Sequence, residues 1–75
     1  MPLLAPWLSG VYHTHMTSAE LIKLLEENGW TVVRSKGSHH AMTKPGHPFT
    51  LSIPHPRKDL GVGLVRQIKK KAGLL

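Results

Sequence analysis

Leu21, Leu24 and Leu25 stand at i, i+3 and i+4, with Lys23, Glu26 and Glu27 outside the stripe, and this spacing predicts an amphipathic helix. Thr17 followed by Glu20 reads as a capping box, in which hydroxyl and carboxylate each satisfy a backbone donor left free at a helix start. Asn28-Gly29 ends the helix, because glycine takes the left-handed conformation past a helix terminus without a Cβ clash. The first helix is therefore expected over residues 18–28. The apolar period then drops to two. Trp30, Val32 and Arg34 alternate with Thr31, Val33 and Ser35, a β-branched run suited to a strand. Lys36-Gly37-Ser38 reads as a tight turn, residues 39–44 as a second strand, and Pro45-Gly46-His47-Pro48 as a second turn. Phe49, Leu51 and Ile53 alternate with Thr50 and Ser52, the clearest half-buried strand, and Pro54-His55-Pro56 stops it. Leu64, Val65, Ile68 and Ala72 then form a helical stripe, with Arg66, Gln67 and Lys69 to Lys71 largely outside it. Gly73 is placed to end that helix, with Leu74 closing a Schellman-type contact; the helix is expected over residues 62–72. The order is α-β-β-β-α, an α+β domain with two helices on one face of a three-stranded antiparallel sheet and the other face bare.

A chain of 75 residues supports one core and no second domain. Residues 1–15 carry no charge, counting histidine as neutral, and show no apolar periodicity; a second methionine, Met16, follows them. They lack the basic start of a signal peptide and are read as a leader or an over-extended start, with the domain at residues 16–75. His13 and His15 within them have a spacing that can bind a metal, but an unstructured leader is the preferred reading of the segment. No run reaches the ~18 consecutive apolar residues of a transmembrane helix. There is no cysteine, which excludes disulfides and thiolate zinc sites.

Charge changes the picture most. Ten Lys and Arg oppose four Asp and Glu, a net +6, and from Arg34 onward Asp59 is the one acidic residue against nine basic ones. Such a surface suits a polyanionic partner, RNA or DNA before membrane.

Lys36-Gly37-Ser38-His39-His40 is the stretch most suited to chemistry: a glycine turn presents a serine and a histidine at the mouth of a hairpin, flanked by cations. Strand alternation sends His39 and His40 to opposite faces, so only one of them can face the bare side of the sheet. Imidazole titrates near pH ~6.5 in water and can move a proton at neutral pH. Ser38 lacks a carboxylate to complete a triad, since Glu20, Glu26 and Glu27 share the first helix and only Asp59 remains. The same shortage argues against a carboxylate-rich metal nuclease site, and His39, His40, His47 and His55 lack helical zinc-ligand spacing. What remains is chemistry in which the substrate supplies the nucleophile. RNA does so through its 2′-hydroxyl, and one histidine among cations can serve that reaction without a metal or cofactor. Pro54-His55-Pro56-Arg57-Lys58 places two cations just past a stiff strand exit, while Lys69 to Lys71 read as a solvated helix end.

Taken together, these segments resemble the HicA-type toxins, mRNA interferases of HicA–HicB toxin–antitoxin systems. The resemblance runs through Glu20-Leu21-Ile22-Lys23-Leu24-Leu25, Asn28-Gly29-Trp30, Lys36-Gly37-Ser38-His39-His40, Pro54-His55-Pro56-Arg57-Lys58-Asp59-Leu60 and the closing Arg66-Gln67-Ile68-Lys69-Lys70-Lys71-Ala72-Gly73-Leu74. It departs at Leu64, where members often carry threonine, and in the extra residues 1–15. The resemblance implies a double-stranded-RNA-binding-domain-like fold, cleavage of mRNA that inhibits translation, and a HicB-type antitoxin partner. It also implies a single catalytic histidine in the Gly-Ser-His segment, His39 here, with His40 in reserve. Lys36, Ser38, Lys44, Arg57 and Lys58 are the RNA-binding candidates, and the expected location is the cytoplasm. The rival readings are a non-catalytic RNA-binding module on the same basic face and a purely protein-binding regulator.

Overall fold

The computed structural model describes residues 16–75; residues 1–15, with His13 and His15 and the leader expected there, lie outside them. Five elements follow in order: α1 (Ser18–Glu27), β1 (Thr31–Lys36), β2 (His39–Lys44), β3 (His47–Pro54) and α2 (Val62–Lys71). The strands form an antiparallel meander in the order β1-β2-β3. This is the expected α-β-β-β-α arrangement, consistent with a double-stranded-RNA-binding-domain-like fold. Among the described residues no helix is long and apolar enough to cross a membrane.

Both helices form where local chemistry directs them. Thr17 Oγ1 accepts from the Glu20 N–H at 3.0 Å, and Glu20 Oε1 accepts from the Thr17 N–H at 2.9 Å, completing the capping box. At the other end of α1 the Gly29 N–H donates to the Glu26 carbonyl and the Trp30 N–H to the Leu25 carbonyl. The end of α2 repeats the pattern: Gly73 donates to Lys70 and Leu74 to Lys69. These are the paired bonds of a Schellman motif.

The core lies between the helices and one face of the sheet. Leu21 and Leu25 of α1, Met42, Leu51 and Ile53 of the sheet, and Ile68 of α2 are all buried in one cluster. Each contributes on the order of 1.5–3 kcal/mol through apolar burial. Trp30 precedes β1 and sinks its indole into the same core, 5.1 Å from the His47 ring. The Leu60 N–H donates to the Met16 carbonyl at 3.0 Å, tying the approach to α2 to the segment entering α1.

Two features depart from the sequence reading. The turn between β2 and β3 is Pro45-Gly46 alone, and His47 and Pro48 already belong to β3, where His47 pairs with Lys44. An edge strand accepts proline because its outer side has no ladder donor to supply. The second departure is in β1. Val32 pairs with Met42 but Arg34 pairs with Ala41, so one residue is inserted and Val33 bulges out, 55% exposed. Trp30, Val32 and Arg34 therefore do not share a face. A bulge re-aims every side chain beyond it, because strand alternation has a period of two.

Candidate functional site

The β1–β2 hairpin closes on a two-residue loop, Gly37-Ser38, with Lys36 paired to His39. Gly37 has φ +59, a conformation in which a Cβ would be strained, and the tight loop depends on it. The hairpin end presents His39 to solvent. Met42 faces the core, so Ala41 points away from it, and His39 shares the Ala41 side. Directly opposed residues of antiparallel strands share a face. The face of the sheet turned away from the helices thus carries two rows: Lys36, His39 and Pro54, then Arg34, Ala41 and Ser52. Lys36, Arg34 and His39 are all exposed.

His40 belongs to the other side. It opposes the buried Ile53, and its ring lies 4.5 Å from the His55 ring at the edge of a shallow groove between α1 and the sheet. Ala19, Ile22, Lys23, Glu26 and Val32 complete that groove. Of the four described histidines, His39 alone is exposed; His40, His47 and His55 are half-buried. His47 sits at the far end of the sheet against Trp30 and Phe49. Among the described residues no three His, Asp or Glu side chains gather as metal ligands would.

The loop after β3 is fastened to the same end of the sheet. The His55 N–H donates to the Ser38 carbonyl at 2.8 Å, which joins the strand exit to the hairpin turn. Ser18, only 1% exposed at the start of α1, holds the rest. Its Oγ accepts from the Arg57 N–H at 2.8 Å and lies 2.6 Å from His55 Nδ1, while its N–H donates to the Arg57 carbonyl at 2.9 Å. The single hydroxyl proton serves either His55 Nδ1 or the Arg57 carbonyl, 3.2 Å away. A ring with its Nδ1 bare receives it; a ring carrying a proton on Nδ1 donates to the hydroxyl instead, which then turns to the carbonyl. Either way the loop stays bonded, with exposed Arg57 and Lys58 beside the hairpin end.

Five of the sequence candidates, Lys36, Ser38, His39, Arg57 and Lys58, therefore meet at one end of the molecule. Lys44 does not. It closes β2 five residues from His39, about 17 Å at ~3.4 Å per residue, and its stem lies over the end of α1. A Cβ on Gly29 would come within 3.1 Å of Lys44 Cε and 3.6 Å of Nζ. There the ammonium favours the negative pole of a helix with no basic residue in its last turn. Sequence reasoning missed two residues. Ser18 read only as part of a helix start, and Arg34 was assigned to the face of Val32 because no local signal marks the bulge.

The fold and face define a class: a small basic α+β domain in which, among the described residues, one exposed histidine stands among cations on the sheet face away from the helices. Residues 18–74 match the family model described as HicA toxin of bacterial toxin-antitoxin. Two solved structures are also similar. One is a HicA3 and HicB3 toxin-antitoxin complex, 44% identical, with TM-score 0.71, covering 79% of this chain and 96% of that one. The other is a toxin–antitoxin complex from Streptococcus pneumoniae, 42% identical, with TM-score 0.70, covering 79% and 98%. Among curated proteins there was no significant match. The chain belongs to the HicA toxin family.

Proposed function

We propose that this toxin is an endoribonuclease that cleaves mRNA and so inhibits translation in the cytoplasm, with His39 as its catalytic residue. The observation that carries the reading is the placing of His39: it alone of the described histidines is exposed, opposite Lys36 and next to a pinned loop bearing Arg57 and Lys58. His39 takes the proton of the ribose 2′-hydroxyl, and the 2′-oxygen attacks the adjacent phosphorus. The bond from phosphorus to the 5′-oxygen breaks, and that oxygen takes a proton from the imidazolium or from water. The products are a 2′,3′-cyclic phosphate and a 5′-hydroxyl. Proton transfer of this kind supplies roughly 10²- to 10⁴-fold, and fixed cations add by stabilising charge on the phosphorane. Because the RNA provides the nucleophile, no metal is required. Lys36, Arg57 and Lys58 grip phosphates, and Ser38 adds a hydroxyl at the turn. A HicB-type antitoxin is the expected partner, a reading supported by the two similar structures, both titled as toxin–antitoxin complexes.

Labelled RNA incubated in EDTA tests this. The wild-type protein should cut it, His39→Ala should lose at least ~100-fold in rate while keeping fold and RNA affinity, and His40→Ala should lose less. Replacing the 2′-hydroxyl by hydrogen at the cleaved nucleotide should stop cleavage without releasing the RNA. Wild-type cleavage by His39→Ala would overturn the assignment, and a dead His40→Ala beside an active His39→Ala would move it one residue along. RNA bound but never cut by the wild-type protein would leave a non-catalytic binding module.

A further inference from the structure

We propose that Arg34 is a second catalytic residue, the guanidinium that holds the non-bridging oxygens of the reacting phosphate. The assignment rests on the ribonuclease reading and extends it to a residue that the strand pattern alone turns the other way. Had β1 continued in the register of Val32 with Met42, Arg34 would oppose His40 on the helix side, and Lys36 would fall opposite Ser38. The bulge at Val33 shifts the pairing by one, so that Arg34 meets Ala41 and Lys36 meets His39 on the face away from the helices. Both cations are thereby brought to the face of His39, one directly across and one on the diagonal. Diagonal neighbours stand ~7–8 Å apart at Cα, within reach of a long side chain.

The ground between them is low. Ala41 and Ser52 fill the row of Arg34, and side chains this short keep that row low, which is the space the proposal gives to a ribose and its phosphate. Lys36 and Arg34 border that space along β1, and His39 stands at its end. The glutamates of the described chain, Glu20, Glu26 and Glu27, all lie on α1, behind the sheet. The chemistry favours arginine for this place. As the 2′-oxygen attacks, a second full charge develops on the phosphorane oxygens, and a planar guanidinium can bond two of them at once, whereas an ammonium acts as a point charge. Arg34 therefore acts more strongly on the transition state than on the bound RNA.

Cleavage rates and RNA affinity, measured for wild type, Arg34→Ala, Arg34→Lys and Lys23→Ala, decide the matter. Affinity is read with an RNA carrying a 2′-deoxy nucleotide at the cut site. Arg34 is exposed, so its replacement leaves the core intact. Arg34→Ala should lose about 10²-fold in cleavage rate at saturating RNA, with affinity changed far less. Arg34→Lys should recover part of the loss. Lys23→Ala, the same charge removed from the helix side, should cleave at the wild-type rate. A wild-type rate for Arg34→Ala overturns the proposal. So does a rate at saturating RNA that stays normal while affinity falls, since Arg34 would then only hold the strand. A wild-type protein that binds RNA and never cuts it overturns the ribonuclease reading itself, and this assignment with it.

Discussion

At Ser18 one hydroxyl holds the N-terminus of α1, the His55 ring and the Arg57 backbone together, in a position that excludes water. Ser18→Ala removes that hydroxyl and leaves His55 Nδ1 and the Arg57 N–H without it. The unpaired groups should cost about 1–3 kcal/mol, seen as a lower urea midpoint with an unchanged slope. An unchanged midpoint would mean that water replaces the hydroxyl at no cost. His39 and Ser18 also mark the limits of residue-level reading. A histidine beside a glycine turn announces itself in the sequence, because its exposure follows from local geometry. A serine at a helix start reads as a routine position, and its two distant partners, His55 and Arg57, are adjacent to it only after folding.

Helix ends follow local rules, and here they hold at both helices. The capping box, the Asn28-Gly29 stop and the Gly73-Leu74 closure were all legible, since each involves donors and acceptors within a few residues. Two glycines at different points of these elements should respond in opposite directions. Gly29 has φ +94 and faces the Lys44 stem, so Gly29→Ala should destabilise by about 1–2 kcal/mol as the stem is also displaced. Gly63 lies in the first turn of α2 with nothing within 4 Å of a would-be Cβ, and Gly63→Ala should stabilise by ~0.4–1 kcal/mol. Melting temperatures report both, at roughly 4–8 °C per kcal/mol for a domain of this size. Equal shifts of the same sign would contradict the conformations assigned to the two sites. The strands obeyed local rules less well. Val33 bulges and His47 joins β3 because ladder pairing and core contacts with neighbouring strands outweigh the alternation and turn signals of one segment.

At the scale of the molecule, the core of the described residues joins both helices to one sheet face, and residues 1–15 carry neither charge nor apolar periodicity. The Met16 carbonyl, which receives the Leu60 N–H, survives in a chain that starts there. A protein beginning at Met16 should therefore melt at the temperature of the full chain and cut RNA at the same rate. A fall of ~4–8 °C, equivalent to ~1 kcal/mol, would show that residues 1–15 contribute to the fold.

The amino-acid order alone determined the element succession, the helix ends, the basic charge and the chemical candidacy of the Gly-Ser-His turn. These depend on periodicity, on capping within a few residues and on side-chain type. The tertiary structure decided which cations share a face with His39. Lys44 is drawn to the end of α1, Arg57 and Lys58 are fixed beside the hairpin by Ser18, and Arg34 is turned outward by a one-residue register shift. Such placements arise from pairing between strands and from contacts distant in sequence, where a single inserted residue reverses the face of every side chain beyond it.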